Sequence, residues 1–94
     1  MVTEIAILKI DPAEAEAFEA TYRRVVPILQ RQPGYRSDQL LRAIERPEEY
    51  ILTVEWDSVA DHEAFIAAPD YPDLDGALGE YVRDASFAHS QTVA

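Results

Sequence analysis

Two histidines, one tryptophan and a few phenols and cations hold the obvious reactive chemistry of this chain. A neutral imidazole titrates close to neutrality and can take a proton from an acidic hydroxyl, so His62 and His89 are candidate general bases. His62 lies six residues after Trp56 and shares a helical face with Val59 and Ile66, spacings that turn it inward or toward a pocket rim. His89 alternates with Arg83, Ala85 and Phe87 on one face of the last predicted strand. Trp56 offers a broad apolar plane and one N–H, Tyr71 a phenol in a proline-flanked loop, and Arg83 a cation that would steady developing negative charge. These residues sort into candidate catalytic groups (His62, Arg83, Tyr71) and candidate substrate contacts (Trp56, His89, Phe87).

Each has a structural alternative. Trp56 also suits a core or an interface, His62 a buried hydrogen-bonded position, and Arg83 a salt bridge to one of 18 acidic residues. If the face that carries His89 looks outward, His89 is a surface residue. Tyr22, Tyr35, Tyr50 and Tyr81 fit core or interface roles more easily than Tyr71 does.

Other chemistries are poorly supplied. There is no cysteine, which removes disulfides, thiolate metal sites and a thiol nucleophile. The two histidines stand 27 residues apart without H-x₃-H spacing, so no zinc or iron centre is expected. Three glycines form no phosphate-cradling loop, and no flavin or nucleotide cofactor is expected. The formal charge of −10 repels nucleic acid and anionic lipid. No apolar run is long enough to span a bilayer, and Met1-Val2-Thr3-Glu4 lacks the basic start of a signal peptide, so a cytoplasmic protein is expected.

The elements that must position these residues follow from periodicity. Residues 1–94 read as one domain. A strand over Val2–Ile10 carries Val2, Glu4, Ala6, Leu8 and Ile10 on one face and Thr3, Ile5, Ile7 and Lys9 on the other, so both faces are expected to be covered. Asp11 caps a helix opened by Pro12, with Glu14 at capping-box spacing. Ala15, Phe18, Tyr22, Val25, Val26 and Leu29 form its apolar stripe, Pro27 is expected to kink its last turn, and Gln32-Pro33-Gly34 ends it. A hairpin follows, with strands at about Tyr35–Ile44 and Tyr50–Trp56 around a turn at Arg46–Glu49. Ser58 and Asp61 open a helix to about Ala67. The segment 68–72 breaks it, a further helix spans about Asp73–Tyr81, and a last strand spans about Arg83–Val93.

That order is β-α-β-β-α-β, the ferredoxin-like α+β arrangement with a four-stranded antiparallel sheet. Right-handed crossovers put both helical regions on one face of the sheet and leave the other bare. Because the first and third strands are apolar on both sides, the bare face would be a patch larger than monomers usually expose. Two such faces packed together as a C2 homodimer are the expected solution, giving a dimeric α/β barrel with a hollow between sheet and helices. A monomer with a mixed outer face is the alternative.

The stretches "MVTEIAILKIDP", "AEAEAFEATYRRVVPILQRQPGY", "YILTVEWDSVADHEAF" and "APDYPDL" together resemble the antibiotic biosynthesis monooxygenase family of small dimeric α+β barrels. Trp56 followed by Asp57-Ser58 and His62 is the most specific part, and Pro33-Gly34-Tyr35 the next. The resemblance covers the whole chain. It implies one of several chemistries: oxidation of polyketide-type quinol precursors without metal or flavin, haem degradation, or isomerisation and cyclisation. Haem-degrading relatives have a histidine in the helix after the Pro/Tyr loop and an asparagine in the first strand. Here that helix has no histidine and the chain has no asparagine, which argues against this branch. The resemblance therefore implies a cofactor-independent monooxygenase of a small phenolic or quinol-like aromatic. Trp56 and Tyr71 would hold the ring, His62 or His89 would act as base, and Arg83 would steady the anion. A non-catalytic binding or accessory dimer and a non-redox isomerase or cyclase are the alternatives.

Overall fold

The computed structural model describes Met1–Ala94. Strand β1 (Val2–Ile10) runs into a single 3-10 turn (Pro12–Glu14) and helix α1 (Ala15–Gln30). Strands β2 (Tyr35–Arg42) and β3 (Glu49–Trp56) form the hairpin, followed by α2 (Val59–Ile66), α3 (Tyr71–Gly79) and β4 (Val82–Ser90). The four strands make one sheet in the order β2-β3-β1-β4, antiparallel throughout. This is the expected ferredoxin-like α+β fold.

The local signals account for most boundaries. Asp11 accepts from the Ala13 N–H at 3.0 Å, and Pro12 opens the turn. That turn is 3-10, so α1 proper starts at Ala15 and Glu14 does not close a capping box; its carboxylate lies toward Arg83 instead. α1 runs through Pro27 to Gln30. Its apolar face explains this: Phe18, Tyr22, Val25 and Leu29 are all buried, a gain that outweighs the one backbone bond a proline forfeits. α3 begins at Tyr71, not Asp73, because Pro72 sits in the first turn, where a missing N–H costs nothing. β2 ends at Arg42 and β4 at Ser90, both short of expectation.

Register decides which side chains meet. On the helix-covered face, Tyr50, Leu52, Val54 and Trp56 of β3 lie beside Leu8, Ala6, Glu4 and Val2 of β1. On the other flank of β1, His89, Phe87 and Ala85 lie opposite Glu4, Ala6 and Leu8. One buried cluster gathers Ala6, Leu8, Ile10, Phe18, Tyr22, Val25 and Tyr50 under α1. A second joins Leu29, Val54, Trp56 and Phe65 under α2. Trp56 and Phe18 are completely buried. The opposite sheet face carries a cross-strand row of Leu41, Ile51 and Ile7, with Ile5, Thr53 and Ala88 beside it. Ile7 and Leu41 remain exposed in the single chain.

Two features seat the site. Gly34 adopts φ +85, the left-handed region that suits glycine, and a Cβ there would lie 2.6 Å from Asp61 Cβ. The turn from α1 to β2 is thereby pressed against the first turn of α2. Ser58 caps that helix, accepting from the Asp61 N–H at 3.2 Å while its hydroxyl donates to Asp61 Oδ2 at 3.0 Å. The second feature is Asp38 on β2, which accepts from Tyr22 at 2.6 Å, from Tyr35 and from Gln30. Burial opposes ionisation of Asp38, but these three donors together hold its carboxyl below the usual range.

Candidate active site

Between the sheet and helices α2 and α3 lies an apolar cleft of about 170 Å³. Ala6, Leu52 and Val54 form its floor, Phe65, Leu74 and Leu78 its helical wall, and Ala85 and Phe87 its open side along β4. Phe87 is 69% exposed. The helices cover β1 and β3 but reach only part of the way over edge strand β4, so the cleft opens there. An engineered cavity of about 150 Å³ lined by aliphatic and aromatic side chains holds a benzene ring. The cleft is therefore about the size of one aromatic ring, and it opens past Phe87.

The cleft's polar groups are the carboxylates of Glu4 and Asp75 and the hydroxyl of Tyr71. Glu4 is an acidic residue on an otherwise apolar strand face, only 9% exposed. Its Oε1 accepts from the Trp56 indole N–H at 3.0 Å and lies 3.2 Å from His62 Nε2. His62 stacks on the Trp56 ring, with centroids 5.4 Å apart and planes 23° from parallel. On its other side, His62 Nδ1 stands 2.7 Å from His89 Nε2. The result is a line of close polar contacts from buried Glu4 through half-buried His62 to exposed His89. The facing imidazole nitrogens bond each other and do not converge on a common point.

Burial is the largest influence on His62 and pushes its pKa down; His89 adds to that, while Glu4 and Glu63 pull the other way without prevailing. The imidazole is therefore neutral at pH 7 and has one ring proton. A proton on Nε2 would lie on the Glu4 side of the ring, and Nδ1 would then accept from His89 Nε2–H. Tyr71 packs edge-on against Phe65 at 5.1 Å and donates to Asp75 at 3.2 Å. Burial first, and then Asp75, push its phenol up to about 12, so it stays a hydroxyl.

The structure thus brings Trp56, His62 and His89 into contact and places Tyr71 and Phe87 on the cleft wall. Tyr71 does so from the first turn of α3, not from a loop. Arg83 is elsewhere. A bulge shifts the β1–β4 register between Lys9 and Ile10, so Ile10 meets Val82 and Lys9 meets Asp84, leaving Arg83 out of step with His89. Its guanidinium turns to Asp11 at 3.3 Å and Glu14 at 3.5 Å, well exposed and off the cleft lining. The group that the sequence reading missed is Glu4. Its signal was present, as the one charge on the Val2, Ala6, Leu8, Ile10 face of β1.

The family model for antibiotic biosynthesis monooxygenase matches residues 1–74. The Bacillus subtilis protein YczJ is 32% identical over 82 residues, 86% of each chain. A crystal structure from Bordetella bronchiseptica, assigned to the same monooxygenases, superposes with TM-score 0.93 at 29% identity, covering 99% of this chain and 97% of that one. SnoaB of Streptomyces nogalater, a cofactor-independent oxygenase, shares the fold at TM-score 0.82 and 22% identity, over 97% of this chain and 91% of its own. The match spans the strand that carries Glu4, the strand that carries Trp56, the helix that carries His62 and the start of the helix that carries Tyr71; the chain belongs to the antibiotic biosynthesis monooxygenase family.

Proposed function

We propose that the chain is an oxygenase of a phenolic or quinol-like aromatic whose own electrons reduce O₂, and that it works as a homodimer. The observation that supports this reading most strongly is the cleft, an apolar slot of ring size whose lining residue Glu4 lies against His62, itself in contact with His89. The pair takes a proton from the acidic substrate. The resulting carbanion-like anion reduces O₂, a C–O bond forms, and the hydroperoxide collapses with loss of water. In sum, R₂CH₂ + O₂ gives R₂C=O + H₂O, with every electron supplied by the substrate. An apolar surround keeps water from the delocalised anion, and Phe65 and Phe87 supply flat surfaces for its ring. The hydroxyl of Tyr71 and the carboxylate of Glu4 are the groups placed to orient substrate oxygens.

The homodimer is argued from the sheet face opposite the helices. Covering about 400 Å² of that surface contributes roughly 10 kcal/mol at about 25 cal/mol per Å², comparable to the cost of association. Sedimentation at micromolar concentration tests it, and a single 10.6 kDa species would remove it. Oxygen uptake with a panel of anthrone- and naphthol-type compounds tests the activity. Stoichiometric uptake that falls at least tenfold in His62→Ala is expected. Uptake by no compound, with ligand-induced thermal stabilisation instead, would make the protein a binding module.

A further inference from the structure

We propose that Glu4, His62 and His89 form a one-proton relay in which Nδ1 of His89 takes the substrate proton, His62 receives the charge, and Glu4 is the residue that positions and stabilises it. The inference rests on the phenol-oxygenating reading of the cleft, but its central element can be measured without substrate.

Geometry supplies the direction. Trp56 N–H can only donate, and it donates to Glu4 Oε1, which fixes that carboxylate oxygen as an acceptor on the His62 side. Glu4 Oε1 lies 3.2 Å from His62 Nε2, and a carboxylate oxygen that close favours the ring proton on that nitrogen. Nδ1 of His62 is then a lone pair, and at 2.7 Å from His89 Nε2 it accepts a hydrogen bond from that ring. His89 in turn is left with a lone pair on Nδ1, which has no protein partner. His89 sits directly across from Glu4 in the β1–β4 register, two residues along the same strand face from Phe87 at the cleft mouth. A hydroxylated ring resting on Phe87 presents its O–H to that nitrogen.

The transfer balances. The substrate O–H breaks as a new N–H forms at His89 Nδ1, the Nε2 proton of His89 crosses to His62 Nδ1, and His62 becomes the imidazolium. Its positive charge then lies against Glu4 and under the face of Trp56. The charged and titratable groups facing the pair are Glu4 from β1, His89 from β4 and Glu63 from α2 itself; β3 presents the uncharged Trp56. A second proton on the pair would place two cations 2.7 Å apart, so the two rings take up one proton as a unit. Glu4 is thus a positioning residue and His89, not His62, the atom-level base.

The experiment is ¹⁵N NMR of the two imidazoles in the wild type, Glu4→Gln and His89→Gln proteins across a pH titration, followed by pH–rate profiles on any substrate found. In the wild type, both rings are expected as Nε2–H tautomers at neutral pH and the pair should bind one proton in a single shared step. Glu4→Gln keeps the shape but removes the charge, and should lower that step by about one to three pH units. His89→Gln should leave His62 as the Nε2–H tautomer, titrating alone. The acid limb of turnover should move with the NMR midpoint in Glu4→Gln. A wild-type Nδ1–H tautomer at His62, two independent protonations, or an unmoved midpoint in Glu4→Gln would each overturn the relay. An intact relay with no oxygen uptake would instead count against the oxygenase reading alone.

Discussion

Gly34 is where fold and site are joined most tightly, and replacing it by alanine should damage both. Two costs arise from separate causes. A residue with a Cβ pays about 1–2 kcal/mol to adopt the left-handed region, where Gly34 has φ +85. The new methyl group would also stand 2.6 Å from Asp61 Cβ, a contact that no rotation of the Asp61 side chain relieves, so the first turn of α2 must move. That turn is held by the Ser58 cap, and loss of such a cap costs about 1 kcal/mol. The sum is about 2–3 kcal/mol, and at about 4–8 °C per kcal/mol for a domain of this size the melting midpoint should fall by roughly 8–24 °C. Gly76 is the internal control. It lies inside α3 with open space for 4 Å around the position a methyl group would take, so Gly76→Ala should stabilise by about 0.5–1 kcal/mol through helix propensity alone. Calorimetry or thermal circular dichroism of both variants gives the comparison. Because Asp61 precedes His62, fluorescence of the sole tryptophan should also shift in Gly34→Ala as the stacked imidazole is displaced. Midpoints that move in the same direction for the two substitutions, or an unchanged midpoint for Gly34→Ala, would refute the reasoning.

Three further outcomes follow from other parts of the molecule. Arg83→Ala should leave turnover unchanged and cost under about 1 kcal/mol in urea unfolding, because its partners Asp11 and Glu14 are surface carboxylates remote from the cleft; a large loss of activity would return Arg83 to the site. His62 has a folded pKa below its unfolded value of about 6.5. Its contribution to stability is therefore complete above that value and lost as pH falls through it toward the lowered one. Between about pH 7 and 5, His62→Gln should flatten the decline in melting temperature, and an unaltered slope would contradict the sign. Tyr22→Phe removes one of the three donors to Asp38 and should cost about 1–2 kcal/mol in urea unfolding at neutral pH. Burial first, and then Asp38, hold the Tyr22 phenol far above the usual tyrosine range, so its stabilisation is present below about pH 10 and lost as pH rises beyond it. The variant should therefore lose less stability than the parent on going to strongly alkaline solution.

The fold was legible because its signals are local and agree with one another. Alternation in Val2–Ile10, the Asp11-Pro12 start, the stripe from Ala15 to Leu29 and the Ser58–Asp61 cap each name one element, and their order allows few topologies. α1 continues through Pro27, as its apolar stripe implies, with Val25 and Leu29 on either side of it buried. One helix start differs from the local reading. Pro72 reads as a breaker, yet at the start of α3 it serves as an initiator. The outward face of Ile5, Ile7 and Ile51, on which the proposed homodimer rests, was readable from strand alternation alone.

The site was legible only in part, because it depends on register between strands far apart in sequence. His62 and Trp56 are close along the chain, and their pairing was readable from spacing. Glu4 and His89 are separated by almost the whole chain and meet only because β4 pairs with β1 so that Thr3 lies opposite Ser90. A slip of one residue would turn His89, Phe87 and Ala85 to the bare face and leave Glu4 buried without its histidine line. The bulge at Lys9 and Ile10 absorbs the one irregularity of that pairing at the far end of the strand, away from Glu4 and His89. Strict alternation across it wrongly joined Arg83 to His89. Alternation thus holds from Ser90 back to Asp84, the stretch that faces Glu4, Ala6 and Leu8, and fails at Arg83, the residue the bulge leaves off the cleft while Val82 beyond it still lines it.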